Sequence, residues 1–147
     1  MNLPSKIVIG ADHAGFEYKE VVKQYLEKNN IKIIDVGTHS LESCDYPDYA
    51  HAAAREIENG NVEFGILICG SAVGVSVTAN KHQQIRAALC WQNEIAKLSR
   101  QHNNANIICL PARFVTIDEA IEMTHTFLTN DFEGGRHQAR IDKIPFK

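Results

Sequence analysis

The stretch 64–81, FGILICGSAVGVSVTANK, places a cysteine at the end of an apolar run and a cluster of small residues after it. Phe64 to Ile68 reads as a buried strand ending at Cys69. Gly70, Ser71, Ala72 and Gly74 form a tight turn, and Val75, Val77, Thr78 and Ala79 wind as a helix closed by Asn80. A turn of this kind gathers backbone N–H groups at a helix N-terminus, where anions are held. A thiol beside them is biased towards thiolate. The chemistry on offer is a reactive sulfur next to a small anion cradle. Taken alone, Cys69 reads first as a buried cysteine ahead of a structural turn.

Other polar residues fall just after apolar runs. Asp12 and His13 follow Lys6 to Gly10. Asp45 and Tyr46 end the polar loop after Ile31 to Val36. His102 and Asn103 close the helix that starts near Asn93, and Arg113 follows Ala105 to Leu110. Each has an ordinary explanation: Asp12 and Ser71 as caps, the histidines and Arg113 as solvated side chains. Together they supply a thiol, carboxylates, imidazoles, an amide and an anion cradle. Arg136 and Arg140 are four apart, so on a helix they face the same way, with His137 beside them. Paired guanidiniums suit phosphate. The ordinary reading is a basic, solvated last helix.

The elements that must position these groups alternate. Strands are predicted at 6–10, 31–36, 64–68, 85–90 and 105–110. Helices are predicted at about 16–29, from Pro47 to about Ile57, after the 70–74 turn, at about 93–100, at 117–128 and at 136–143. The expectation is an α/β protein: a Rossmann-like three-layer αβα sandwich on a five-stranded parallel sheet. One domain spans 1–147, and its C-terminal helix from about residue 136 completes the site. Loops after parallel strands share one edge, so these groups should converge there.

Composition removes several classes. With 147 residues, 44% hydrophobic content and a net charge of −3, the chain reads as an ordinary globular domain, without the basic excess of a nucleic-acid binder. No apolar run reaches the ~20 residues that span a bilayer. The sequence MNLPSKIVIG has no apolar core of signal-peptide length, so a cytoplasmic protein is expected. Cys44, Cys69, Cys90 and Cys109 form no CxxC pair, which argues against a zinc site or a disulfide framework. A cysteine phosphatase would carry Arg six residues after the cysteine, where this chain has Val75. GADHAG is not the GxGxxG of a dinucleotide site.

The segments GADHAG, DYPDYA, ILICGS, VTANK, SRQHNNAN and EGGRHQAR, in this order and over nearly the whole chain, resemble the type B ribose-5-phosphate isomerases. That family also contains galactose-6-phosphate isomerase subunits and allose-phosphate-active members. The resemblance implies aldose–ketose isomerisation of ribose 5-phosphate and ribulose 5-phosphate, in the non-oxidative pentose phosphate pathway of carbohydrate metabolism. A six-carbon sugar phosphate, allose 6-phosphate or galactose 6-phosphate, is the alternative. It implies no metal or organic cofactor, and a homodimer or tetramer with active sites shared between subunits. By resemblance, Cys69 is the base of a cis-enediolate mechanism. The backbone of Gly70, Ala72, Val73 and Gly74, with Ser71, stabilises the enediolate. Asp12 and His102 assist ring opening. His13, Arg113, Arg136 and Arg140 hold the phosphate, with His137 nearby. Asn103 binds sugar oxygens, and Asp45 and Tyr46 line the pocket. The segment from His102 to Arg113 is expected to reach the Cys69 pocket of a partner chain. One departure stands out: the family's CG[ST]G-x-G is CGSAVG here. If that turn needs a positive φ, Ala72 is strained by about 1 kcal/mol.

Overall fold

The computed structural model describes residues 3–146. Five parallel strands form the sheet: β1 (Lys6–Ala11), β2 (Lys32–Asp35), β3 (Gly65–Cys69), β4 (Ala87–Leu89) and β5 (Ile107–Pro111), in the order β2-β1-β3-β5-β4. The helices are α1 (Phe16–Lys28), α2 (Tyr46–Glu58), α3 (Val73–Ala79), α4 (Asn93–Asn103), α5 (Ile117–Thr129) and α6 (Arg136–Ile141). The expected Rossmann-like α/β sandwich is what the chain forms.

Apart from the exposed Lys6 at the start of β1, the central strands carry apolar residues or glycine, as burial on both faces requires. Ile7, Ile9, Ile66, Ile68, Ile108 and Leu110 pack with Val22 and Leu26 of α1, Ala96 of α4, and Met123 and Phe127 of α5. The alternate positions Val8, Leu67, Cys69, Ile107 and Cys109 pack on the other face with Ala50, Ala53 and Ala54 of α2 and Val75 and Ala79 of α3. Small residues on α2 and α3 let that layer sit close to the sheet. Cys69 thus points to the α2–α3 side, at the last position of its strand.

Most element ends fall within one or two residues of the sequence reading. Helix α4 runs through Asn103, so His102 and Asn103 sit in its last turn. Strand β4 is only three residues long, because it lies at the sheet edge and pairs with β5 alone.

Periodicity also hid a buried cation. Lys19 is fully buried and reaches Asp35 at the end of β2, Nζ to Oδ2 2.6 Å. Asp35 also takes Lys23 Nζ at 2.9 Å and the Gly37 N–H at 2.9 Å. Burial alone would raise the Asp35 carboxyl. The bonds from Lys19, Lys23 and Gly37 outweigh it and hold the group below the usual carboxylate range. A depressed folded-state value means the stabilisation is present above that range and is lost as pH falls through it. The pair thereby fixes α1 against the exit of β2.

Ala72 adopts φ 63°, ψ −4°, the left-handed conformation its position was suspected to require, and is fully buried. Left-handed backbone costs an alanine about 1–2 kcal/mol. Against that, its buried methyl contributes about 0.8 kcal/mol. The lower chain entropy of alanine relative to glycine when unfolded contributes about 0.4–1 kcal/mol. The terms nearly cancel, so alanine holds the same turn that glycine would. Ala72→Gly is expected to change unfolding free energy by less than about 1 kcal/mol. Urea denaturation checks this, and a loss of several kcal/mol would show that the methyl is a packing anchor.

Candidate active site

The strand order reverses direction at β1 and β3, since β2 lies to one side of this pair and β5 and β4 to the other. Ligand crevices form at such a switch point, outside the carboxyl ends of the strands. A cleft of about 690 Å³ lies here, walled by Asp12, His13, Tyr46, Cys69, Gly70 and Arg113 among others.

Each wall has a local cause. Asp12 is nearly buried, and its Oδ1 accepts the N–H groups of Ala14 at 3.0 Å and Gly15 at 3.1 Å. It therefore fixes the turn from β1 into α1 while lining the cleft. The Cys44 N–H donates to His13 Nδ1 at 3.2 Å, which leaves Nε2 to carry the proton of a neutral ring and act as a donor. Arg113 donates its backbone N–H to Gly70 O at 3.0 Å, and its guanidinium lies over Gly70 so closely that a Cβ there would meet Nη1 at 3.0 Å. Tyr46 lies against Gly74, where a Cβ would meet the ring at 2.5 Å. These two glycines are required by close approach, and the turn carries Arg113 and Tyr46 as its flanks.

Cys69 is 4% exposed at the base of the cleft. Beyond it the Val73 N–H is taken by Ser71 Oγ at 3.3 Å. The remaining N–H groups in the first turn of α3 have no intrahelical acceptor. The arrangement offers a thiol, a carboxylate, an imidazole and a guanidinium around a concave space. That set can move a proton on a small anionic substrate and hold the charge that develops.

The other predicted residues gather elsewhere. His102, Asn103, Arg136, His137 and Arg140 line a second cleft of about 460 Å³ between α4 and α6. Arg136 and Arg140 share one face of α6, as their spacing implied. His137 is nearly buried and stacks on His102, ring centroids 4.3 Å apart. Burial lowers the His137 imidazole pKa, and the nearby His102 and Arg136 act the same way. Arg113 lines the Cys69 cleft of its own chain, so the segment 102–113 does not act as one unit: its start lies at the second cleft and its end at the first. Ala72 lies buried beneath the turn and Asp45 is exposed at the start of α2; neither is among the residues that wall the cleft. Phe114 and Val77 on the cleft rim, and Glu133 beside the stacked histidines, were not singled out by sequence. Glu133 lay inside the EGGRHQAR segment, but its side chain gave no separate signal.

Comparison with known proteins matches this geometry to one family. Residues 7–144 fit the Ribose/Galactose Isomerase family profile. The chain is 42% identical over 139 residues to the ribose-5-phosphate isomerase B of Escherichia coli K12, covering 95% of this chain and 93% of that one. The crystal structure of a ribose 5-phosphate isomerase from Thermotoga maritima superposes with a TM-score of 0.94 at 49% identity, covering 96% and 97% of the two chains. Ribose-5-phosphate isomerase B from Mycoplasma genitalium, solved with bound ribulose-5-phosphate, superposes with a TM-score of 0.91 at 43% identity, covering 95% and 93%.

The four cysteines are chemically unequal. Burial pushes the Cys90 thiol up to about 12, against an opposing hydrogen bond from Ser99, and raises the fully buried Cys109 thiol well above the ordinary range. Both stay protonated near neutrality. Iodoacetamide at pH 8 should therefore label Cys44 and Cys69 in the folded protein and spare Cys90 and Cys109 until it is denatured. Peptide mass spectrometry reads this, and native labelling of Cys109 would contradict the closed core.

Proposed function

The chain belongs to the ribose/galactose isomerase family, and from this premise we propose that it interconverts ribose 5-phosphate and ribulose 5-phosphate, in the cytoplasm, as a step of the non-oxidative pentose phosphate pathway. The observation that carries the reading is Cys69 at the end of β3, inside a cleft flanked by His13 and Arg113. The naming of the relatives and the ribulose-5-phosphate held by the Mycoplasma genitalium protein support the substrate.

In this reading the Cys69 thiolate takes the proton from C2 of the open-chain aldose and returns it to C1, through a cis-enediolate, while the O2 hydroxyl proton passes to O1. The N–H groups of the 70–74 turn, with Ser71, hold the negative charge that develops on the oxygens. Asp12 and His102 open the furanose ring, and Asn103 holds sugar oxygens. His13, Arg113, Arg136 and Arg140 hold the phosphate, whose distance from the reacting carbons lets its binding serve to position them.

The second cleft enters through assembly. We propose a homodimer in which the His102 and Arg136–Arg140 face of one chain closes the Cys69 cleft of the other. Two features support it. The groups the chemistry needs are divided between two clefts of one chain. The rim of the first cleft carries uncovered apolar side chains, Val73, Val77 and Phe114, the last 75% exposed.

The direct test is an assay of the purified protein on ribose 5-phosphate, allose 6-phosphate and galactose 6-phosphate without added metal. Ribose 5-phosphate should give the highest kcat/KM, and EDTA should not lower it. Cys69→Ser should lose 10²–10⁴-fold in kcat or more, about the contribution of a general base, while still binding the sugar phosphate. Retention of a tenth of wild-type turnover would remove Cys69 from that role. Arg136→Ala and Arg140→Ala should chiefly raise KM, with a smaller fall in kcat; normal kinetics in both would make α6 a solvated face.

Mixed dimers test the shared site. Cys69→Ser and His102→Asn homodimers should each be nearly inactive. Refolded together, half the dimers are mixed, and in each of those one site carries both lesions and the other none. Activity should return, to at most about a quarter of wild type. No recovery despite measured subunit exchange would place both residues in a site closed within one chain.

A further inference from the structure

The stacked histidines of the second cleft face a carboxylate. His102 Nε2 lies 3.7 Å and His137 Nε2 3.6 Å from Glu133 Oε1. A ligand atom from each of the three residues lies within 4.8 Å of the others, the one such group of three found among the described residues. We propose that His102, Glu133 and His137 form a binding site for one divalent transition metal ion, zinc above all, an ion the isomerisation itself does not call for.

The geometry favours it. Two ligand atoms on a tetrahedral zinc at its usual bond lengths stand about 3.4 Å apart, close to both imidazole–carboxylate separations. Two imidazoles and one carboxylate are the donor set of open zinc sites, in which a fourth position stays free for water or another oxygen. Imidazole donors select zinc, copper or nickel over magnesium and calcium. The two rings are nearly parallel, 14° apart, so their lone pairs converge only after one ring turns about χ2, a soft torsion.

The ligands are held from outside. The Glu133 N–H donates to Gln101 O at 3.0 Å, tying the loop before α6 to the last turn of α4 that carries His102. Glu133 and His137 lie i, i+4. Arg136 and Arg140 add positive charge on the same helix, which weakens cation affinity and sets this site apart from a tight structural one.

The inference goes beyond the proposed activity and meets it at one atom. A metal on His102 Nε2 removes that nitrogen from proton transfer, so zinc should inhibit turnover reversibly. Cobalt(II) serves as the binding probe. One Co²⁺ per chain should give the visible absorption of a low-coordinate ion, displaced by Zn²⁺. Glu133→Gln and His137→Gln should each weaken binding at least about tenfold, with circular dichroism confirming the fold. Metal-free Glu133→Gln should turn over as wild type does and resist zinc. Absence of a Co²⁺ spectrum, or equal Co²⁺ affinity in wild type and both variants, would overturn the site. Co²⁺ binding lost in the variants, without zinc inhibition of wild type, would uphold the site and count instead against His102 in turnover.

Discussion

Three backbone hydrogen bonds continue the sheet past its regular edge: Asp12 N–H to Ile68 O at 3.3 Å, Ala112 N–H to Cys69 O at 3.0 Å and Arg113 N–H to Gly70 O at 3.0 Å. They follow from the parallel register, which sets Ala11 beside Ile68 and Cys69 beside Pro111. Everything in the first cleft hangs on them. Asp12, Cys69 and Arg113 are far apart in sequence, yet Cys69 ends its strand and Asp12 and Arg113 are the first and second residues beyond theirs. A shift of one residue would turn Cys69 to the opposite face of the sheet and carry Arg113 away from Gly70.

That lacing explains how much was legible beforehand. Buried strands betray themselves as short β-branched runs, and parallel pairing sends their ends to one edge. The gathering of Asp12, His13, Cys69 and Arg113 therefore follows from local pattern and one topological rule. Strand order follows from neither, because the insertion of β5 between β3 and β4 is a choice among crossovers that the sequence does not mark. The same holds for Lys19: on a helical wheel it is one charge among Glu17, Glu20 and Lys23, and only the end of β2 makes it the ion that is fully buried against Asp35. The division of site residues between two clefts was legible only in part. The motif resemblance implied that a second chain completes the site, but it grouped Arg113 with His102, which the backbone bond from Arg113 to Gly70 separates.

Position along β3, more than residue type, sets Cys69 apart. Cys109 faces the same layer two strand positions from the end of β5, and full burial keeps its thiol protonated. Cys69 shares that packing through Ala72 and α2 but ends its strand, where the chain must turn and the first N–H groups of α3 begin. The left-handed turn at Ala72 is what brings those groups back over the strand end. An alanine suffices because its methyl fills the core beneath.

The second cleft depends on Arg100 in a comparable way. This guanidinium is 5% exposed and lies over Phe64 and Phe127, 4.7 and 5.7 Å from their centroids. It donates to Asn104 Oδ1 at 2.9 Å, to Ala105 O at 2.6 Å and to Asn130 O at 3.2 Å. Burial lowers its pKa, but an arginine remains charged, and its bonds to oxygen are correspondingly strong. It thereby ties the end of α4 to the end of α5, two residues before His102 and three before Glu133. The aromatic pair packs in the layer of α1, α4 and α5, across the sheet from the layer that holds Cys69 and Ala72. The two clefts are thus positioned by packing on opposite faces of one sheet. The homodimer proposed above would draw on that shared sheet, since each chain would present its partner's missing wall while keeping its own cleft in place.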